Sequence, residues 1–462
     1  MVLRDMVERF EKKSPVSVMV RAMVENVFSA ERLDGIFTRL DHAQSEGGLM
    51  FSTIADILGL VAMRIQPSVH AAYQARAEEI GVTAKAVYDK LQRVKGEVSR
   101  AVVRETAIEL AKIVEEMRLA TPAPLPGYRV KILDGNHLRR TERRLKVLRD
   151  VNGAPLPGHA VVVLDPQRKL VIDVFPCEDA HAQERTLLPA VLETIVRRDV
   201  WIADRNFCTT DFLLGIDARG GYFVIREHGQ SLRSQRVGRR THVGRCDTGA
   251  LYEQPLRLLH KDGSATEIRR VSLLLDEPTR DGETEIHILT NLPAKIAAAR
   301  IADLYRSRWS IEKAFLDVAK NLAGEVVTLG YPRAALFSFC MALASYNLLS
   351  VVLASLSAVH GRDVVDEEVS IYYLADEVAH TARGLTIAIP DSYWRQTYRD
   401  LSAPQMARAL VEIAQTVRLA RYKKHKRRTC KKTTTLNKKR RNHVSTARLL
   451  NSGKDTKVVP KC

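Results

Sequence analysis

Two aspartates in the chain each follow an apolar run. Asp134 closes Tyr128-Arg-Val-Lys-Ile-Leu-Asp134, in the string LDGNHL, and Asp204 closes Asp199-Val-Trp-Ile-Ala-Asp204, in WIADRNF. Acids at strand ends stand at the rim of a low-dielectric core, and in open sheets functional groups gather beyond the strand ends. Two neighbouring carboxylates repel each other unless a cation lies between them. A hard divalent metal with oxygen ligands is the natural partner. Taken singly, Asp-Gly and Asp-Arg-Asn read more simply as turns. A third acid changes the weighing. In IADLYRSRWSIEK, Ile301, Tyr305, Arg308 and Glu312 are spaced 4, 3 and 4, which puts them on one helical face. Arg placed before Glu at i,i+4 is the poorer order for a solvated ion pair. The stripe continues from apolar Ile301 to Leu316, so it reads as a partly buried polar site.

The elements that must position these groups follow from periodicity. Residues 1 to about 120 show apolar residues at 3–4 spacing and predict an all-helical region, closed by the helix-breaking cluster TPAPLPG at 121–127. Strands are predicted at 128–134, 159–164 and 170–175, the last two as an antiparallel hairpin. A helix at about 184–197, a strand at 199–204, a helix at about 210–218 and a strand at 222–226 come next. That order predicts an α/β fold, a mixed sheet with helices packed on it. Residues 229–294 are polar, with short alternating runs, and read as a β-rich insertion. Helices resume over 294–323 and 334–357 and continue to about 420. The predicted divisions are a helical N-terminal region (1–125), the two parts of a mixed α/β domain (126–228 and 295–360) around the insertion (229–294), a helical region (361–420) and a basic disordered tail (421–462).

Composition narrows the partners. Hydrophobic residues at 45% exclude a wholly disordered chain. Residues 421–462 hold sixteen Lys and Arg against one acid, Asp455, so this stretch carries +15 of the chain's +18. Such a polycation suits nucleic acid phosphates. Phe337–His360 has no Asp, Glu, Lys or Arg and is long enough to span a membrane. It stands alone and contains Asn347 and several hydroxyl residues, so a helix buried all round in a soluble core is expected. The six cysteines are scattered with no CxxC pair, which suits a reducing cytoplasm. The charged start, MVLRDMVERFEKK, argues against secretion.

The two aspartates, the insertion and Tyr305-x2-Arg308-x3-Glu312 together resemble the DDE transposases of bacterial insertion sequences. The branch they resemble is the one often called the insertion-sequence-four family, over about residues 125–355. The resemblance implies a ribonuclease H-like catalytic domain in which Asp134, Asp204 and Glu312 hold two Mg²⁺ ions, with Mn²⁺ as the alternative metal. It implies phosphodiester cleavage at the transposon end and transfer of the freed 3′-OH to target DNA. Tyr305 and Arg308 resemble the pair that contacts phosphate. The implied setting is a bacterial cytoplasm, on the nucleoid, with DNA as partner, no membrane, and a homodimer in the DNA complex.

The chain departs from that pattern in three places. The Lys often found seven residues after the Glu is displaced to Lys320, so Arg306, Lys313 and Lys320 form a basic line instead. Asn206 stands where Gly often follows the Asp-Arg pair. The insertion has no Trp for stacking on a flipped base.

Further candidates lie outside this motif. Residues 70–94 fit a helix-turn-helix turning at Gly81, with Thr83 capping the second helix. Val87, Leu91 and Val94 would then face inward, and Lys85, Lys90 and Arg93 outward toward DNA. His137, His159, His181 and Glu184 lie near the site in sequence; His181 and Glu184, spaced i,i+3, read as supporting groups or as ordinary residues of a helix start. Two other readings stay open: another nuclease on the same fold, and a DNA-binding protein whose catalytic site has decayed.

Overall fold

The computed structural model describes residues 2–41, 48–119, 122–139, 141–228, 232–260, 263–279, 281–425 and 443–455. Its centre is one ten-stranded sheet. The strands are β1 (Arg129–His137), β3 (His159–Asp165), β4 (Leu170–Cys177), β5 (Asp199–Ala203), β6 (Tyr222–Arg226), β7 (Ser234–Arg236), β8 (Thr241–Cys246), β9 (Gly249–Leu259), β10 (Ala265–Leu275) and β11 (Glu285–Thr290). A short strand, β2 (Ala154–Leu156), lies outside it. The order is β4-β3-β1-β5-β6-β11-β10-β9-β7, with β8 also on β9. β1, β5 and β6 run parallel, and every other pairing in this sheet is antiparallel. The expected hairpin of β3 and β4 is present. The expected β-rich insertion extends the central sheet, because β11 returns alongside β6.

β3 and β5 are buried at every residue, which explains their unbroken apolar runs. Alternation along β1 sends Val130 and Ile132 into one core and Leu133 into another. The first core is made with the helices Pro15–Val27, Phe51–Ala62, Gly96–Glu116, Pro332–His360 and Ala403–Gln415. The second lies against the helices Leu188–Leu192 and Thr210–Ala218. Pro332–His360 is apolar and long enough to cross a membrane, but 94% of its apolar window is buried inside the protein. Within it, Asn347 pairs with both the N–H and the C=O of Val171 at 2.7 and 2.8 Å, which satisfies a buried amide on the sheet.

Four expectations need correction. β1 does not end at Asp134 but continues to His137, so Asp134 and Gly135 are strand residues. The helix expected over 184–197 is a 3₁₀ turn, Glu184–Leu187, followed by the short helix Leu188–Leu192. The helix expected over 294–323 is two helices, Ala298–Arg306 and Trp309–Asn321. At the break Ser307 Oγ back-bonds to Leu304 C=O at 2.6 Å, and Arg308, Ser310 and Ile311 donate to carbonyls three residues back. This tighter winding interrupts the α-helical hydrogen-bond ladder between the two helices.

The fourth correction is to the disordered tail. Much of it, 426–442 and 456–462, lies outside the described residues. The remainder is folded. Tyr422 is buried, and Lys423 pairs with Glu368 at 3.1 Å. A strand β12 (His443–Ser445) pairs parallel with β2 and leads into the helix Thr446–Asp455. Ser445 and Thr446 are buried, and Arg448 reaches Asp179 at 2.7 Å.

Candidate active site

Sheet register brings the two aspartates together. Leu133 pairs with Ala203 across the parallel strands β1 and β5, so Asp134, still in β1, and Asp204, just past the end of β5, follow at the same level on neighbouring segments. Asp134 shares the Ile132 face, on which Ala298–Arg306 and Trp309–Asn321 also lie. Asp204 begins the 3₁₀ turn Arg205–Phe207.

The helix pair supplies the rest. Tyr305 Oη donates to Asp204 Oδ1 at 3.4 Å. Arg308, only 11% exposed at its side chain, donates from Nη1 to Asp134 Oδ2 at 3.1 Å. Its Nη2 lies 2.7 Å from Glu312 Oε1. The guanidinium fork therefore stands between two carboxylates, which its planar geometry suits. The break at Ser307 does not separate the motif: Tyr305 and Arg308 each reach a different aspartate, and Arg308 also holds Glu312.

Burial dominates the electrostatics of the site. Burial pushes the Asp134 carboxyl up to about 6, while Arg308 and the Gly135 N–H pull it down and Glu312 and Asp204 raise it further. Burial pushes the Tyr305 hydroxyl up to about 12, and Asp204 adds to the rise. At neutral pH Tyr305 is therefore a neutral donor.

Three carboxylates of this kind match the donor chemistry that a hard divalent cation takes. Among the described residues no group of three His, Cys, Asp or Glu is drawn together as a metal-holding cluster. Arg308 supplies the positive charge between Asp134 and Glu312.

The basic candidates separate into two kinds. Arg306, Lys313 and Lys320 are exposed, and Arg306 pairs with Asp303 and, at 3.6 Å, with Asp247. Around Gly81, which takes φ of +65°, the chain forms the short helices Val69–Gln74, Ala77–Ile80 and Ala84–Leu91. Thr83 caps the last of these, and Val87, Leu91 and Val94 are buried. Lys85 and Arg93 are exposed. Lys90 is not directed outward: its ammonium donates to Leu49 C=O and sits 5.2 Å from the centre of the Phe37 ring. Burial accordingly lowers its pKa.

Two features of the site escape the motif. Trp309, beside Arg308, is 64% exposed, an unusual place for an indole. Glu184 sits against Gly135 on the sheet face opposite Asp134. No periodicity announces either, although a Trp adjoining a polar stripe was visible in the sequence.

Residues 126–348 match the family described as the transposase DDE domain, a span that starts just before β1 and ends inside the helix Pro332–His360. Among solved structures, the chain is similar to one described as a cryo-EM structure of the piggyBac transposase synaptic complex with hairpin DNA. The identity is 12% and the TM-score 0.36, over 87% of this chain and 85% of that one. No curated protein sequence matches the chain.

Proposed function

We propose that this protein is a DDE transposase of a bacterial insertion sequence of the insertion-sequence-four type, acting on DNA in the cytoplasm. It would cut the ends of its element and join them to target DNA, as a homodimer that pairs two ends. The observation that carries this reading is the linked set itself. One arginine bridges Asp134 and Glu312, and one tyrosine reaches Asp204, inside the span that matches the transposase DDE domain. A ribonuclease H-like description is supported by β4-β3-β1-β5-β6, in which a parallel trio is flanked by an antiparallel hairpin.

Asp134, Asp204 and Glu312 would hold Mg²⁺, or Mn²⁺ in its place. Bound there, such ions supply Lewis-acid stabilisation of the charge that develops on a phosphodiester. The protein's own groups have separable tasks. Arg308 holds two carboxylates in register and presents a fixed positive charge beside them. Tyr305 offers a proton-bearing oxygen that stays neutral. Arg306, at the end of Ala298–Arg306, and Lys313 and Lys320, on the helix that carries Glu312, supply exposed positive charge suited to backbone phosphates. Lys85 and Arg93 would add a second point of attachment.

The test uses DNA carrying the inverted repeats that flank the gene. Asp134→Asn, Asp204→Asn and Glu312→Gln should each abolish cleavage with DNA binding nearly intact. A variant that keeps more than about a hundredth of wild-type cleavage removes its residue from the site, since loss of an essential group costs several kcal/mol in the transition state.

A further inference from the structure

On the sheet face turned away from Asp134, a second set of side chains joins the two segments that bear the aspartates. The Glu184 side chain is 13% exposed and lies over Gly135. A Cβ at Gly135 would stand 1.9 Å from Glu184 Oε1 and 2.2 Å from its Cδ, so only glycine admits the carboxyl at that point. Glu184 Oε1 is 3.6 Å from His137 Nδ1, two residues further along β1. Its other oxygen, Oε2, accepts from Asn206 Nδ2 at 2.5 Å. The next residue, Arg185, donates from Nε to Asn206 C=O at 2.6 Å. Asn206 is two residues past Asp204. One dipeptide thus touches the residue after Asp134 and holds the segment after Asp204 by both its side chain and its backbone.

We propose that Glu184 is a positioning residue that fixes the spacing of Asp134 and Asp204 by bridging Gly135 to Asn206. The placement fits that role and no direct one: adjacent strand residues face opposite ways, so the Glu184 carboxyl is separated from Asp134 by the sheet itself. It also gives reasons for two sequence features. Gly135 lies within a strand, where glycine weakens pairing unless something approaches closely. Asn206, in place of glycine, supplies the amide that Glu184 holds.

The inference rests on the reading of Asp134 and Asp204 as catalytic carboxylates, so Asp134→Asn accompanies every measurement. In the full-length protein, Glu184→Ala should slow cleavage of the element end by about 10–100-fold, the usual effect of losing a group that orients a metal-bearing residue. Mn²⁺ binding, measured by calorimetry on the protein without DNA, should weaken by a similar factor. Glu184→Gln keeps an oxygen for Asn206 and should stay close to wild type in both. Asn206→Ala, at an exposed position, should follow Glu184→Ala without unfolding the chain. Gly135→Ala should be as damaging alone, yet add little in the Glu184→Ala background, because the space it invades is then vacant.

The proposal is overturned if Glu184→Ala or Asn206→Ala leaves rate and Mn²⁺ binding unchanged. It is equally overturned if the losses from Gly135→Ala and Glu184→Ala simply multiply. If Asp134→Asn itself cleaves normally, the catalytic reading fails instead, and the two failures are told apart.

Discussion

Replacing Asp134 with Asn should stabilise the protein at neutral pH and abolish its activity. The carboxyl is displaced from its ordinary value of 3.8 to about 6, first by burial and then by Glu312 and Asp204, against the pull of Arg308 and the Gly135 N–H. At about 1.4 kcal/mol per pKa unit the displacement corresponds to about 3 kcal/mol. A side chain 19% exposed keeps some screening, so about 1–3 kcal/mol is the expected effect. The sign follows from linkage. A raised folded-state pKa favours the native state below the unfolded value, and that advantage is lost as pH rises through the folded value. Wild type therefore carries the full cost well above pH 6 and little of it near pH 4, whereas Asn carries none at either. Urea unfolding of both proteins between pH 4 and 8 should show Asp134→Asn ahead at pH 8, with the gap closing toward pH 4. Added Mg²⁺ should stabilise wild type and leave the variant unmoved. A variant less stable than wild type at pH 8, or a gap independent of pH, would refute the reasoning.

Three further outcomes are expected. Arg308→Lys should lose most cleavage while Arg306→Lys keeps most of it, since Arg308 holds two carboxylates with one fork and Arg306 is half exposed; equal rates for the two variants in a cleavage assay would sink the distinction. Trp201 and Trp394 are fully buried and Trp309 is not, so a change in tryptophan emission on adding end DNA should vanish in Trp309→Phe; a signal that survives the substitution comes from elsewhere. A chain stopped at His425 should bind DNA with a salt slope shallower by about 0.9 for each phosphate it no longer neutralises. Because it also lacks β12 and the helix that follows, with buried Ser445 and Thr446, its unfolding midpoint should fall as well; an unchanged midpoint would mean the docking adds nothing to stability.

Much of the sheet was legible because β3 and β5 are covered on both faces, which forces unbroken apolar runs. The site was legible for a different reason: Arg308 and Tyr305 are spaced to meet carboxylates whose charge needs an answer. What stayed hidden depends on packing between distant segments. Asp-Gly reads locally as a turn, and only the approach of Glu184 explains a glycine inside a strand. Ser307 looks like an ordinary helix residue until its hydroxyl bonds back to Leu304. Lys90 reads as a surface cation because nothing in sequence places Phe37 and Leu49 around it. The strand β12 is masked by its basic surroundings, and its three residues acquire a partner only from β2, nearly three hundred positions earlier.

The most direct measurement is a joining assay. Purified protein, Mg²⁺, DNA ending in the element's inverted repeat and a supercoiled target plasmid are incubated together, and the junctions are sequenced. The account predicts element 3′ ends covalently joined to target DNA by wild type, and none with Asp134→Asn, Asp204→Asn or Glu312→Gln. Ends that are cut but never joined would contradict it, leaving a nuclease in place of a transposase.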